Sequence, residues 1–293
     1  MKKFLITGFS GFVSKHFLNF LETKGEHASV LGIDLHEPAF NISGYKHLTC
    51  EFAKLDLLRK DDVQNVIYQF QPNYIIHLAS YSSVSFSWKN PILSFQNNTN
   101  IFLNILEAVR LNNIQVRILS IGSSEEYGDV TQKDIPLREE QPLKPISPYA
   151  VARVSQEMLS RIYVESYGLD IVITRSFNHI GPGQSELFVI PSFAKQLVEG
   201  WMRGEKEIIL TTGDVTVIRD FLDVRDVVRA YDALLMKGRK GEVYNVCSGH
   251  GVPLSDILTL MAKSLDVHCR TMIDVRLVRP KDNMKIIGLN KKM

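Results

Sequence analysis

Apolar residues in this chain come in short runs that alternate with longer stretches of helical spacing. The runs KFLIT (3–7), SVLGID (29–34), NYIIHLAS (73–80), VRILSIGS (116–123) and DIVITRSF (170–177) predict strands. Between them, residues 11–24, 61–70, 91–112 and 148–167 space their apolar side chains as helices do. Several strand runs are apolar on consecutive residues, which implies cover on both faces. Strand and helix in alternation predict an α/β chain built on a parallel, doubly wound sheet.

Beyond residue 175 the pattern changes. NHIGPGQS is loop-like, and a helix near 190–203 and a short run EIIL (207–210) follow. DVRDVVRAYDALLMKG predicts an amphipathic helix ending at Gly238, EVYNVCS (242–248) a strand, and VPLSDILTLMAKSL a helix with Pro253 near its start. The expected plan is a nucleotide domain over 1–174, to which 218–240 returns. A smaller C-terminal α/β substrate-binding region is expected from 175–217 and 241–293.

Composition narrows the function class only a little. The 293 residues are 45% apolar and 23% charged, with a net charge of +2, so nothing in the total favours nucleic acid or an anionic membrane. Cys50, Cys247 and Cys269 are widely spaced, without a metal-ligand pattern, and are expected to be reduced structural thiols. The opening MKKFLITGFSG is too short an apolar run, broken by glycine, for a signal peptide, and no stretch is long enough to cross a bilayer. A soluble cytoplasmic protein is the expectation.

The first strand, TGFSGFVS (7–14) and the first helix follow one another directly. Gly8 allows a tight turn, and Gly11 lets backbone approach a pyrophosphate at the helix N-terminus. Ser14 holds the third glycine position, where a small residue suffices. The second strand ends in Asp34, about twenty residues on, where a carboxylate accepts from an adenosine ribose and repels a 2′-phosphate. NAD(H) is thus favoured over NADP(H) on a Rossmann-type domain. Asp56 could sit beside the adenine.

In SPYAVARVSQE (147–157), Ser147 suits an N-cap and Pro148 the first helical position. Tyr149 and Arg153 then share a helix face, four residues apart. A nearby cation favours a phenolate and brings a tyrosine closer to useful acid–base range. His77 ends an apolar strand and reads as a packed structural histidine; His179 lies in a loop and could shape a pocket.

Gly8-x-x-Gly11, HLAS (77–80), SSEEYG (123–128), SPYAVAR (147–153) and RDFLDVRDVVRA (219–230) stand in the order seen in a known family. The chain resembles the extended short-chain dehydrogenases/reductases, the NAD-dependent epimerases and dehydratases of nucleotide sugars. RSFNHIGPGQS (175–185), GEVYNVCSG (241–249) and LVRPKDN (277–283) resemble its GDP-mannose branch.

The resemblance implies Tyr149 as the proton-transferring tyrosine and Ser123 as the hydroxyl that bonds the substrate oxygen. Arg153 stands where the family has lysine, which tunes the tyrosine and binds the nicotinamide ribose; the swap is not conservative, since a planar fork replaces a compact ammonium. Glu125 matches the glutamate that acts as base in related dehydratases. Along the cofactor the resemblance sets Ser10, Phe12, Val13, Leu57, Leu78, Ala79, Ser80 and Asn100, together with Tyr149 and Arg153. For the substrate it implies Asn178, Arg219 and Arg279 at the diphosphate, Asp282 at the nucleotide ribose, and Ser82, Ser83 and Ser124 near the sugar.

The implied reaction is NAD(P)H-dependent reduction of the 4-keto group of GDP-4-keto-6-deoxy-D-mannose to GDP-6-deoxy-D-mannose (GDP-D-rhamnose), with no metal. GDP-mannose 4,6-dehydration, or another GDP-sugar reductase or epimerase, is the alternative within the fold. A non-catalytic NAD-binding protein is the alternative outside it. In many relatives helices matching 91–112 and 148–167 pair subunits, so a homodimer is implied. Relatives also continue past GLNKKM into a terminal helix, and a chain ending at Met293 is expected to be a short form or a truncated one.

Overall fold

A computed structural model describes residues 1–278 and 281–293. In chain order the first part forms β1 (Lys2–Thr7), α1 (Phe12–Lys24), β2 (Ala28–Asp34), β3 (Leu48–Lys54), α2 (Lys60–Phe70), β4 (Tyr74–His77), α3 (Val84–Lys89) and α4 (Pro91–Leu111). Then come β5 (Arg117–Ser123), α5 (Pro148–Tyr167), β6 (Asp170–Ser176), β7 (Asn178–Ile180), α6 (Val189–Met202), β8 (Glu207–Thr212) and β9 (Ile218–Asp223). The chain finishes with α7 (Val224–Lys237), β10 (Val243–Val246), β11 (Gly251–Pro253), α8 (Leu254–Ser264), β12 (His268–Ile273) and β13 (Lys285–Ile286).

Seven parallel strands make the main sheet, in the order β10-β6-β5-β4-β1-β2-β3. The pleat of β1 sends alternate side chains to opposite faces. Phe4 and Ile6 join Phe17 and Leu18 of α1 and Val227 and Tyr231 of α7. Leu5 packs on the other face with Val63 and Ile67 of α2, Phe102 and Ile105 of α4 and Tyr163 of α5. Connections run outward in both directions from the β1–β4 pair. A crevice therefore opens at the carboxyl ends of these two strands, as in doubly wound sheets generally.

A smaller sheet of β7, β9, β11 and β13 and the pair β8–β12 form the other part, with Phe193, Leu197, Ile208, Leu210 and Leu258 at its centre. Four features depart from the sequence reading. Leu48–Lys54 is an edge strand whose Thr49, Glu51 and Lys54 break any apolar run. The run 73–80 ends as a strand at His77, because the backbone at Leu78–Ala79 turns to meet Gly8. Val243–Val246, assigned from sequence to the substrate region, is fully buried and pairs β6 as the last strand of the main sheet; Ile218–Asp223, expected with the nucleotide domain, belongs to the smaller sheet, while α7 beyond it covers β1.

Candidate active site

The β1–α1 turn is built for close approach. Gly8 has φ of +69°, and a Cβ there would lie 2.7 Å from Ala79 N, so both the conformation and the space demand glycine. Gly11 is the N-cap of α1, and the first turn contains no acidic residue and no side-chain cap. Its backbone N–H groups are thus left for an anion. Asp34 at the end of β2 braces this turn, accepting from Ser10 N at 3.0 Å and from His36 N at 3.2 Å. Ser10 Oγ donates to the His36 carbonyl. These residues fit a dinucleotide: glycine cradle, uncapped helix end and a carboxylate at the end of the second strand.

The neighbouring expectations divide. Asp56 Oδ1 accepts from Leu58 N at 2.9 Å in the turn before α2, and Leu57 is buried beneath it. Leu78 N donates to Thr7 O at 3.2 Å and Ala79 N to Thr7 Oγ1 at 3.3 Å, which fixes HLAS against β1. Phe12 stacks on His179 with ring centroids 5.8 Å apart, and Val13 packs against the α1 face of the core. Asn100, expected along the cofactor, is exposed on α4. Asn98 is the buried asparagine, bonding Tyr81 N at 2.8 Å and Tyr81 O at 3.2 Å. Two residues on a helix lie about 200° apart, so only one of the pair can face inward.

Ser147 caps α5 by accepting from Ala150 N at 3.1 Å, with Pro148 in the first turn. Tyr149 and Arg153 are both buried. The Arg153 fork spans the carboxyl ends of the central strands. Its Nε donates to Tyr149 Oη at 3.1 Å, its Nη1 to Ile121 O at 3.0 Å and Gln156 Oε1 at 2.6 Å, and its Nη2 to Ser80 Oγ. At the end of β5, Ser123 accepts from Glu125 N at 3.2 Å through Oγ. Ser124 is buried and Glu125 partly so in the same single turn.

His77 Nδ1 lies 2.9 Å from Thr7 Oγ1 and its ring packs on Phe102. Burial first, and then the charge of Arg153, push its pKa down to about 3, so the ring is neutral. Burial also lowers His179. At the outer end, Ser83 is spent as the N-cap of α3, accepting from Phe86 N at 3.2 Å, and Ser82 is exposed. Asn178 begins β7. Arg219 donates to Asp282 at 2.7 Å, which joins two residues that sequence assigned to separate parts of a nucleotide. Arg279 lies outside the described residues. These residues also hold no group of three or more carboxylate, histidine or cysteine side chains suited to a metal.

Three contributors escaped the sequence reading. Gln156 receives Arg153, and its signal was a polar residue three positions on along the same helix. Asp220 is fully buried in β9 and accepts from Ser248 N, Ser248 Oγ, Gly249 N and Gly288 N, which knots the segment after β10 to the chain terminus. Glu126 is fully buried, and its Oε1 accepts from Ser123 N at 2.6 Å in a capping box that S-x-x-E announces. A Cβ on Gly122 would come within 2.3 Å of that oxygen, so glycine makes room for it.

Glu157 lies beside Glu126 and takes Arg175 Nε and Nη2, both at 2.9 Å, together with Arg161. Burial opposes the Glu157 charge, but the arginine bonds outweigh it and hold its carboxyl below the usual range. Burial, and then the Glu157 charge, raise Glu126 well above the usual range.

A family model described as NAD dependent epimerase/dehydratase matches residues 4–247. The chain is 31% identical over 292 residues to GDP-6-deoxy-D-mannose reductase of Pseudomonas aeruginosa, covering 100% of this chain and 90% of the relative. It is 28% identical over 278 residues to GDP-mannose 4,6-dehydratase of Yersinia enterocolitica, covering 91% and 73%. Among solved structures, RMD from Pseudomonas aeruginosa complexed with NADPH superposes with a TM-score of 0.83 at 30% identity, covering 100% of this chain and 91% of that one.

Two outcomes follow from the geometry. Gly8→Ala is expected to weaken NADH binding, read by fluorescence titration, at least about tenfold, because backbone must shift to admit the methyl. Glu126→Gln keeps an acceptor for Ser123 N while removing a carboxyl that resists ionising. In the native protein the unfolded chain loses this proton first as pH rises, so folded-state stability falls from about pH 4.5 upward into the neutral range. The stability advantage of Glu126→Gln over the parent, measured by urea unfolding, should therefore grow with pH across that window.

Proposed function

We propose a reaction for this chain from one premise: it belongs to the NAD dependent epimerase/dehydratase family. The reaction is NAD(P)H-dependent reduction of the 4-keto group of GDP-4-keto-6-deoxy-D-mannose, giving GDP-6-deoxy-D-mannose. The end-to-end match to the Pseudomonas reductase is the observation that carries it. NAD(H) is the preferred coenzyme on the strength of Asp34, although the similar Pseudomonas structure holds NADPH.

When bound, the nicotinamide supplies a hydride to the sugar carbonyl carbon. The chain's own residues supply everything else. N–H groups of the first turn of α1 hold the pyrophosphate, and Asp34 accepts from the adenosine ribose. Because Tyr149 Oη accepts from Arg153 Nε, the phenol hydrogen points away from the fork and donates to the carbonyl oxygen. Ser123 Oγ accepts from Glu125 N, so its hydrogen is left to donate to the same oxygen. Two preset donors stabilise the negative charge that develops there, and the Tyr149 proton completes the alcohol. Solvent then restores the Tyr149 proton. At the other end of the substrate, Arg219 grips the diphosphate and Asp282 holds its guanidinium in place.

Glu125 favours a second reading, GDP-mannose 4,6-dehydration, since a carboxylate beside Ser123 could remove a proton next to a keto group. The two separate cleanly. The reductase oxidises added NADH with the keto sugar, seen as loss of the NADH absorbance band. The dehydratase consumes GDP-mannose without added NADH. Under the proposed reaction, Tyr149→Phe lowers kcat by about 10²–10⁴-fold with substrate KM little changed, and an unchanged kcat would remove Tyr149 from the chemistry.

A homodimer belongs to the same proposal. On α4 and α5, Ile92, Leu93, Phe95, Val151, Met158 and Ile162 leave an exposed apolar face with shallow grooves between the helices. A second copy of the same two helices would cover it. No helix among the described residues is long and apolar enough to cross a membrane, and the three unpaired cysteines suit the reducing cytoplasm. Ile162→Glu is expected to convert a dimer to a monomer in light-scattering measurements; a parent protein that is already monomeric would end the dimer proposal.

A further inference from the structure

The guanidinium of Arg153 has five N–H donors in one plane. Four of them meet protein acceptors: Tyr149 Oη, Ile121 O, Gln156 Oε1 and Ser80 Oγ. One Nη2 hydrogen remains for whatever occupies the crevice.

Gln156 is 1% exposed and fully committed. Its Nε2 donates to Ser120 Oγ at 2.9 Å and Ile121 O at 3.1 Å, while Ser160 Oγ donates to Gln156 O at 2.9 Å and lies 3.1 Å from Ser120 Oγ. The chemistry of the partners fixes the amide orientation. A guanidinium only donates and a backbone carbonyl only accepts, so Oε1 must face Arg153 and Nε2 must face Ile121.

These bonds fix the plane of the fork. Rotation about its long axis would break the bonds to Gln156, Ile121 and Ser80 together. An ammonium has three donors at a single point and cannot serve four acceptors spread along a fork. A lysine here would strand Gln156 Oε1 as a buried acceptor without a donor.

We propose that Gln156 is a positioning residue that makes this site specific for arginine. It sets the fork so that Nε meets Tyr149 and Nη2 faces the nicotinamide ribose. That last contact rests on the proposed NAD(P)H chemistry, but the cradle itself does not.

The test compares the parent with Arg153→Lys, Gln156→Ala and the double variant. In thermal unfolding without ligand, Arg153→Lys should lower Tm by about 3–8 °C, through one stranded buried acceptor. The double variant should fall no further than the worse single variant, because the two side chains act as one unit. NADH affinity should show the same non-additivity. With GDP-4-keto-6-deoxymannose, Gln156→Ala should lower kcat about tenfold or more while the sugar-nucleotide KM stays within about twofold. The double variant should recover part of what Arg153→Lys loses.

Additive losses in Tm and in NADH affinity would overturn the proposal, as would an Arg153→Lys protein with parental or higher kcat. Non-additive Tm and NADH affinity alongside no turnover of the sugar nucleotide by any of the four proteins would uphold the cradle and remove only the proposed reaction.

Discussion

A single side chain ties this site together. The Arg153 guanidinium donates to the β4 loop, to β5, to its own helix and to the phenol oxygen of Tyr149. Burying that charge would be prohibitive without such partners, and four acceptors within one plane are what make it tolerable. The position of Tyr149 therefore depends on the same bonds that neutralise the cost of the cation. The His77 ring beside it stays neutral partly for the same reason, since Arg153 adds its charge to the effect of burial.

Around this fork lies a second set of buried charges that holds the turn after β5. Glu126 reaches back to Ser123 N, and Arg175 locks Glu157 with a two-pronged bond while resting over the Tyr127 ring at 4.8 Å. Tyr127 Oη in turn donates to Asn245 at 2.7 Å on the last strand of the main sheet. Asp220 then ties that strand's exit to β9, where Arg219 begins the outer site. The main sheet and the smaller sheet are thus joined by polar side chains as well as by packing.

Much of this was legible in the sequence. Apolar runs gave the central strands and long helices because those elements are buried on repeating faces, and TGFSGFVS marked the tight β1–α1 turn because its geometry is local in sequence. Edge strand Leu48–Lys54 escaped because half its side chains are polar. The burial of Asn98 beside an exposed Asn100 was not legible, because nearby asparagines differ only in helical phase, which a few residues of pattern do not fix. Gln156, Glu126 and Asp220 escaped for another reason. Their meaning lies in partners brought close by folding, and in the sequence each is an ordinary polar residue. Arg153 looked there like a departure from a pattern; the four acceptors around it make it a fitted part.

A crystal structure of the protein with NADH and GDP-mannose bound would test this account most directly. It predicts Tyr149 Oη about 3 Å from the sugar O4, Arg153 still bonded to Tyr149 and Gln156, and its remaining Nη2 hydrogen on the nicotinamide ribose. A sugar O4 held away from Tyr149, or an Arg153 fork swung out of the Gln156 cradle, would contradict it.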